Sequence, residues 1–286
     1  MRNSTSLDTL CAGLCYALGI EAPKEAAAAN PALTDYIDQQ LKGQKADRIF
    51  MYNPDAVAQW IFEKYPHYFK EVTARTDLQL PMCAVMPSVT PVCFGTMYTG
   101  AQPAVHGIQE YAKPVIKIDT IFDALLRAGK KPALVSTEKD SMGKIFLERD
   151  IDYYLCDSIE KVNAKAAQLI AENKHDFICV YNGNYDSRMH KTGPESAEAL
   201  GELRTNAKAF GMFYEMIAEH WAGQNTLMGF AMDHGCHEID GDCGSHGLDM
   251  DEDLNITHFY KVCLKSDKQE IKRDKNGYFE MQNVRR

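Results

Sequence analysis

The feature that most constrains this chain is the recurrence of short apolar runs separated by stretches long enough to form helices. RIFMYN (48–53), LPMCAVM (80–86), PALVST (132–137), DYYLC (152–156), DFICVYN (176–182), TLMGFAM (226–232) and ITHFYKVCL (256–264) each read as a strand. Between them, AVAQWIFEKYPHYFKEV reads as a long amphipathic helix, DTIFDALLRAGK and SIEKVNAKAAQLIAEN as helices, and residues 195–222 as another long one. Strands that are apolar on both faces must be covered from both sides. The expected fold class is therefore α/β, a three-layer αβα sandwich around a mostly parallel central sheet. In such sheets ligands sit in the crevice beyond the carboxyl ends of the strands, so that edge is where chemistry is to be sought.

Ahead of the first strand, residues 5–45 are expected to be helical, with Leu7, Leu10, Leu14 and Leu18 at helical spacing and an Ala-rich run before Asn30-Pro31. The expected organisation is an N-terminal helical segment, 1–45, packed on a catalytic domain, 46–286, as one compact body. The charged tail from Lys265 reads as a surface extension or a small hairpin around Asn276-Gly277. The apolar stretch Leu10–Ile20 has one Arg before it, Asp8 beside it and no small-residue cleavage signal after it, which reads as an ordinary helix rather than a signal peptide. No run approaches the roughly 18 apolar residues of a membrane span. The nine cysteines lack CxxC spacing, as reduced thiols would, and a cytoplasmic location is expected. A net charge of −9, spread along the chain, argues against a nucleic-acid polymer or an anionic membrane as partner. An anionic substrate would need bound cations to hold it. Oligomeric state leaves no mark in the sequence.

The strand ends carry a distinctive set of side chains. Asp55 follows RIFMYN, Thr90 follows LPMCAVM, Asp186 and His190 follow DFICVYN, Asp233 and His234 follow TLMGFAM, and His246 precedes the last strand. Each alone has a plain structural reading: a helix N-cap for Asp55, a turn for Asp186 and His190, a loop for Asp233-His234-Gly235, an exposed ring for His246. Together at one sheet edge they point to metal. Carboxylates and imidazoles suit a divalent cation, zinc first, with manganese or iron as alternatives. Three Asp, three His and one Thr are too many ligands for one tetrahedral ion, so two metal ions are expected. Two metals about 4 Å apart form the clamp used for in-line displacement at phosphorus. A hydroxyl beside such ions becomes a nucleophile at neutral pH, which gives Thr90 a role, with Ser88 as its rival.

The segment MPSVTPVCFGTMYTGAQPAVHGI (86–108) resembles the nucleophile segment of the alkaline phosphatase superfamily, in the branch of type I phosphodiesterases and nucleotide pyrophosphatases. The resemblance lies in Pro87, Thr90, Thr99-Gly100, Pro103 and His106-Gly107-Ile108, then Asp186, His190 and Gly193-Pro194, then Asp233-His234-Gly235, then His246-Gly247, over roughly residues 45–262. It implies an alkaline phosphatase-like fold. It also implies one metal held by Asp186, His190 and His246, and another by Asp55, Asp233, His234 and the Thr90 oxygen. Thr90 would attack phosphorus and form a covalent phospho-enzyme, in a hydrolase of a small phosphodiester, pyrophosphate or phosphomonoester. The alternatives are a phosphomutase of the same superfamily, which needs an added domain, and a non-catalytic metal-binding relative, against which the intact Thr90 speaks.

Three departures bear on these expectations. Asp55 sits in Asn53-Pro54-Asp55-Ala56, where the family's Asp follows its strand directly and precedes Gly; Asp47, the substitute, lies before the strand. Cys93, a weak donor, stands where nucleotide pyrophosphatases often carry an Asn, so nucleotide specificity is not implied. Residues 236–245 are too short for a cap domain. Of the remaining candidates, His106 is expected to support its turn, Cys236, His237 and Cys243 to be loop residues, and His67, His175, His220 and His258 to lie in the core or on the surface.

Overall fold

The computed structural model describes residues 1–265, and the tail read as an extension or hairpin around Asn276-Gly277 lies outside the described residues. The strands are β1 (Arg48–Pro54), β2 (Leu78–Cys83), β3 (Pro132–Thr137), β4 (Asp152–Cys156), β5 (Phe177–Asn182), β6 (Thr226–Phe230), β7 (His237–Ile239), β8 (Cys243–Ser245) and β9 (Asn255–Cys263). Seven of them form one sheet in the order β2-β9-β6-β1-β5-β3-β4, while β7 and β8 pair as a hairpin. β1 runs parallel to β5 and β6, and β3 parallel to β5 and β4. β9 alone is reversed, antiparallel to both β6 and β2.

Helices cover both faces, as the all-buried pattern of β1, β5 and β6 requires. One layer contains the mutually packed helices Thr9–Leu18, Thr90–Thr99 and Ile121–Arg127; the other contains Ile159–Glu172, Ala197–His220 and Lys70–Thr73. The core lies between each layer and the sheet. On one side Phe50 and Tyr52 meet Phe213, and on the other Phe177 meets Tyr98 and Phe122. Each such ring, fully buried, contributes roughly 1.5–3 kcal/mol relative to exposure.

Several local expectations are corrected, each by a proline or an edge. The helix expected over 56–72 breaks into Gln59–Lys64, a 3₁₀ turn Pro66–Phe69 and Lys70–Thr73, because Pro66 has no N–H to continue the ladder. Residues 5–45 hold two helices, Thr9–Leu18 and Pro31–Leu41, and the Ala-rich run between them is not helical. Pro31 forces Asn30 out of the helical region (φ −62°, ψ 121°), and the Asn30 side chain then caps the second helix at Ala32 N. Ala27 instead donates to Gly100 O at 2.7 Å. The second strand covers 78–83, not 80–86: Pro81 is admitted because β2 is an edge strand, and Ala84 already bonds Leu254 O beyond it.

Candidate metal centre

The strand ends converge on one place. Asp55 follows the last residue of β1, Asp233 and His234 lie just past β6, and the helix Asn184–Thr192 starts two residues beyond β5. That stretch forms a helix and not the turn of its plain structural reading, so Asp186 and His190, four residues apart, share a face. His246 follows β8, and Thr90 is the first residue of its helix. Two triads result: Asp186, His190 and His246, partly accessible, and Asp55, Asp233 and His234, fully buried. The rings of His234 and His246 lie 4.2 Å apart between centroids, tilted by 32°, so the triads adjoin.

In the first triad Asp186 Oδ1 is 3.2 Å from His190 Nε2 and 3.3 Å from His246 Nε2, and the two nitrogens are 3.1 Å apart. In the second, His234 Nε2 is 3.3 Å from Asp233 Oδ2 and 3.5 Å from Asp55 Oδ1. The Thr90 hydroxyl is 3.4 Å from both His234 Nε2 and Asp55 Oδ2. Ligands at the 2.0–2.1 Å typical of a tetrahedral zinc ion stand about 3.3 Å from one another, which matches all three edges of the first triangle and the two edges at His234 in the second.

The hydrogen bonding fits as well. His190, His234 and His246 each direct Nδ1 at a backbone carbonyl, of Gly244 (2.9 Å), Gly235 (2.9 Å) and Ser88 (3.0 Å). With the proton committed there, Nε2 presents a lone pair to the centre. Asp55 Oδ1, Asp186 Oδ1 and Asp233 Oδ2 are buried and have no hydrogen-bond partner. Buried carboxylate oxygens left bare in this way cost several kcal/mol unless something positive reaches them.

The titration shifts show the same deficit. Burial, with the charge of Asp186 added, pushes the Asp55 carboxyl up to about 7. Burial, with Asp55 added, pushes Asp233 well above the carboxylate range. Burial opposes ionisation of Asp186 too, but His190 and His246 outweigh it and hold that carboxyl well below its ordinary value. The Asp186 carboxylate, 3.2 Å away, raises His190 to about 9, whereas burial drives His234 far down. Without cations the centre gathers protons in their place.

All seven residues expected from the sequence are thus brought together. The departure at Asp55 has a geometric reason. Ala56 adopts φ 60°, the left-handed region that a Gly would enter freely, and its N–H reaches Asp233 Oδ1 at 3.2 Å. Asp47 lies at the opposite end of β1, accepting from Asn225 N at 2.8 Å. Ser88 contributes its carbonyl to His246, and its buried hydroxyl has no partner. The Cys93 thiol is buried and directed to Val85 O at 3.8 Å. His106 braces the helix Thr90–Thr99, 3.1 Å from Thr96 Oγ1.

Two supporting residues are not among those the sequence points to. Tyr181 donates its hydroxyl to Asp55 Oδ2, and its position near the end of β5 is the signal that could have found it. Asp253 is fully buried; it binds His237 Nδ1 at 2.7 Å and Leu248 N at 2.9 Å, and its carbonyl accepts from Gly235 N at 2.7 Å. It ties the loop of Asp233 and His234 to that of His246. In sequence it hides in the acidic run DMDEDLN, which reads as a solvated surface.

No protein-family model and no curated protein matches the sequence. Solved structures match the fold. The chain is similar to murine ectonucleotide pyrophosphatase/phosphodiesterase 5, solved as an inactive variant in complex with AMP (16% identity, 68% of this chain and 59% of that chain, TM-score 0.55), and to its human counterpart (17%, 68% and 58%, 0.53). It is also similar to phosphonoacetate hydrolase from Sinorhizobium meliloti in complex with phosphonoacetate (18%, 70% and 61%, 0.50). The likeness is one of fold, and the three-layer αβα sandwich expected from the sequence is the one observed. The chain covers less than two thirds of each: 59%, 58% and 61%.

Proposed function

We propose that this chain is a two-metal hydrolase of small phosphoesters in which Thr90 is the nucleophile. The observation that carries the reading is the Thr90 hydroxyl at 3.4 Å from both Asp55 and His234, beside two triads in which each carboxylate leaves one buried oxygen without a hydrogen-bond partner. Asp186, His190 and His246 would hold one divalent cation and Asp55, Asp233 and His234 the other, zinc first, with manganese or iron as alternatives. Bound there, the cations would supply Lewis-acid polarisation of the phosphoryl oxygens and an acidified hydroxyl. Thr90 Oγ1, having lost its proton, attacks phosphorus as the bond to the leaving oxygen breaks. Water then cleaves the Thr90–phosphorus bond and restores the hydroxyl. Tyr181 fixes the Asp55 carboxylate, and the three backbone carbonyls fix the imidazole tautomers.

The fold neighbours are named as a phosphodiesterase and a phosphonate hydrolase, which agrees with this reaction class. The test is hydrolysis of bis-p-nitrophenyl phosphate and p-nitrophenyl phosphate by the metal-loaded protein. Thr90→Ala is expected to keep its metal and lose on the order of 10³-fold or more in kcat. A Thr90→Ala protein as active as the parent would overturn the assignment, and phosphoryl transfer without net hydrolysis would favour a mutase.

A further inference from the structure

Asp253 reaches both halves of the metal centre. Its carboxylate is fully buried and meets no lysine or arginine among the described residues; Oδ1 faces His237 Nδ1 at 2.7 Å and Oδ2 accepts from Leu248 N at 2.9 Å. An apolar side chain would fill that space at a lower desolvation cost, so packing alone does not account for a carboxylate there. Both partners belong to segments that carry ligands of the accessible triad. Leu248 is separated from His246 only by Gly247, whose φ of 103° marks a joint with backbone freedom that other residues lack, and the bond to Leu248 N fixes the far side of that joint. His237 lies opposite Ser245 in the β7–β8 hairpin, and Ser245 sits between His246 and Gly244, whose carbonyl accepts from His190 Nδ1 at 2.9 Å. The main chain of Asp253 serves the other triad. Its carbonyl accepts from Gly235 N at 2.7 Å, next to His234, and the backbones run so close there that a Cβ on Gly235 would stand 2.1 Å from Glu252 O. Side chain and backbone of one residue thus reach different triads.

We infer that Asp253 is a positioning residue whose side chain, acting through His237 and Leu248, sets His190 and His246 for the cation of the accessible triad, while its carbonyl steadies the buried triad. The inference rests on the proposed function for the presence of the two cations. Asp253 itself touches neither metal nor substrate. Removing its carboxylate leaves every ligand in place and frees two of them to move, so metal is held less tightly although no donor is lost.

The test is zinc titration against a competing chelator in two backgrounds: Asp233→Asn, which leaves the accessible triad as the site, and Asp186→Asn, which leaves the buried one. Asp253→Ala removes both side-chain bonds and keeps the carbonyl. It is expected to weaken zinc binding by about 10- to 100-fold in the first background and by less than about twofold in the second. Asp253→Asn should recover part of the loss, since its amide oxygen can still accept from Leu248 N. His237→Leu, which cuts only the hairpin bond and keeps the bulk, should weaken the same site by a smaller factor, and it decides the matter if Asp253→Ala does not fold. Selective loss at the accessible triad supports the inference. Equal loss at both triads, which a general loosening of the fold would give, overturns it. So does parent-like affinity at the accessible triad in Asp253→Ala or, where that variant does not fold, in His237→Leu. In these cases zinc still binds to the parent, and the metal-centre reading stands. A parent protein that binds no zinc overturns both.

Discussion

The Nε2 atoms of His190 and His246 stand 3.1 Å apart, and in their neutral forms neither can donate to the other, since each ring commits its Nδ1 proton to a backbone carbonyl. Two lone pairs facing each other across that gap, with Asp186 Oδ1 at 3.2 and 3.3 Å, form a trap for a cation. Replacing Asp186 by Asn keeps the shape and removes the charge. Metal analysis of purified Asp186→Asn should give about one equivalent where the parent holds about two, the Asp55, Asp233 and His234 triad being untouched. A variant that still carries two would show that this triad is not a ligand set.

The protonation states predict an opposite response to pH with and without metal. Burial holds Asp55 up at about 7, and Asp186 holds His190 up at about 9. Both folded values lie above the unfolded ones, about 4 for Asp and 6.5 for His. Each group therefore stabilises the metal-free fold fully below its unfolded value and loses that contribution as pH rises through its folded value. Asp186, held low, loses its contribution only when pH falls below the ordinary carboxylate range. The Tm of chelator-treated protein should accordingly decline between about pH 6 and pH 9, and the gain in Tm on adding zinc should grow over the same interval as protons leave the ligands. A zinc-dependent gain that shrinks with pH would contradict the assignment.

Ala56 holds a left-handed backbone at the edge of the site because its N–H must reach Asp233. For a residue with a Cβ this conformation costs roughly 1–2 kcal/mol. Ala56→Gly should raise the denaturant midpoint by an amount equivalent to about 1 kcal/mol, at unchanged m-value, once the greater freedom of Gly in the unfolded chain is subtracted. A lowered midpoint would mean that the methyl group contributes more by packing than the backbone loses.

Much of this candidate site is legible in the amino-acid sequence alone, because its carboxylates and imidazoles follow short apolar strands and the carboxyl ends of parallel strands share one edge. Asp55, Asp233 and His234 are legible for that reason. The reversal of β9 is not, because a strand buried on both faces shows the same apolar run whichever way it points. The hairpin of β7 and β8 leaves no signal because its strands span three residues each around Gly241 and Asp242, too short to show alternation. The helix carrying Asp186 and His190 leaves no helical signal, because its sequence, NYDSRMHKT, is almost wholly polar and shows no apolar stripe. The Ala-rich run fails in the other direction: its local propensity is helical, but Pro31 and the bond from Ala27 to Gly100 override it.

Anomalous diffraction from crystals grown with zinc would locate the two cations proposed to be held by these six side chains beside Thr90. Two peaks about 4 Å apart are expected. One should lie within bonding distance, about 2.0–2.2 Å, of Asp186, His190 and His246, and the other at the same distance from Asp55, Asp233 and His234. A single peak, or peaks remote from both triads, would contradict the two-cation proposal.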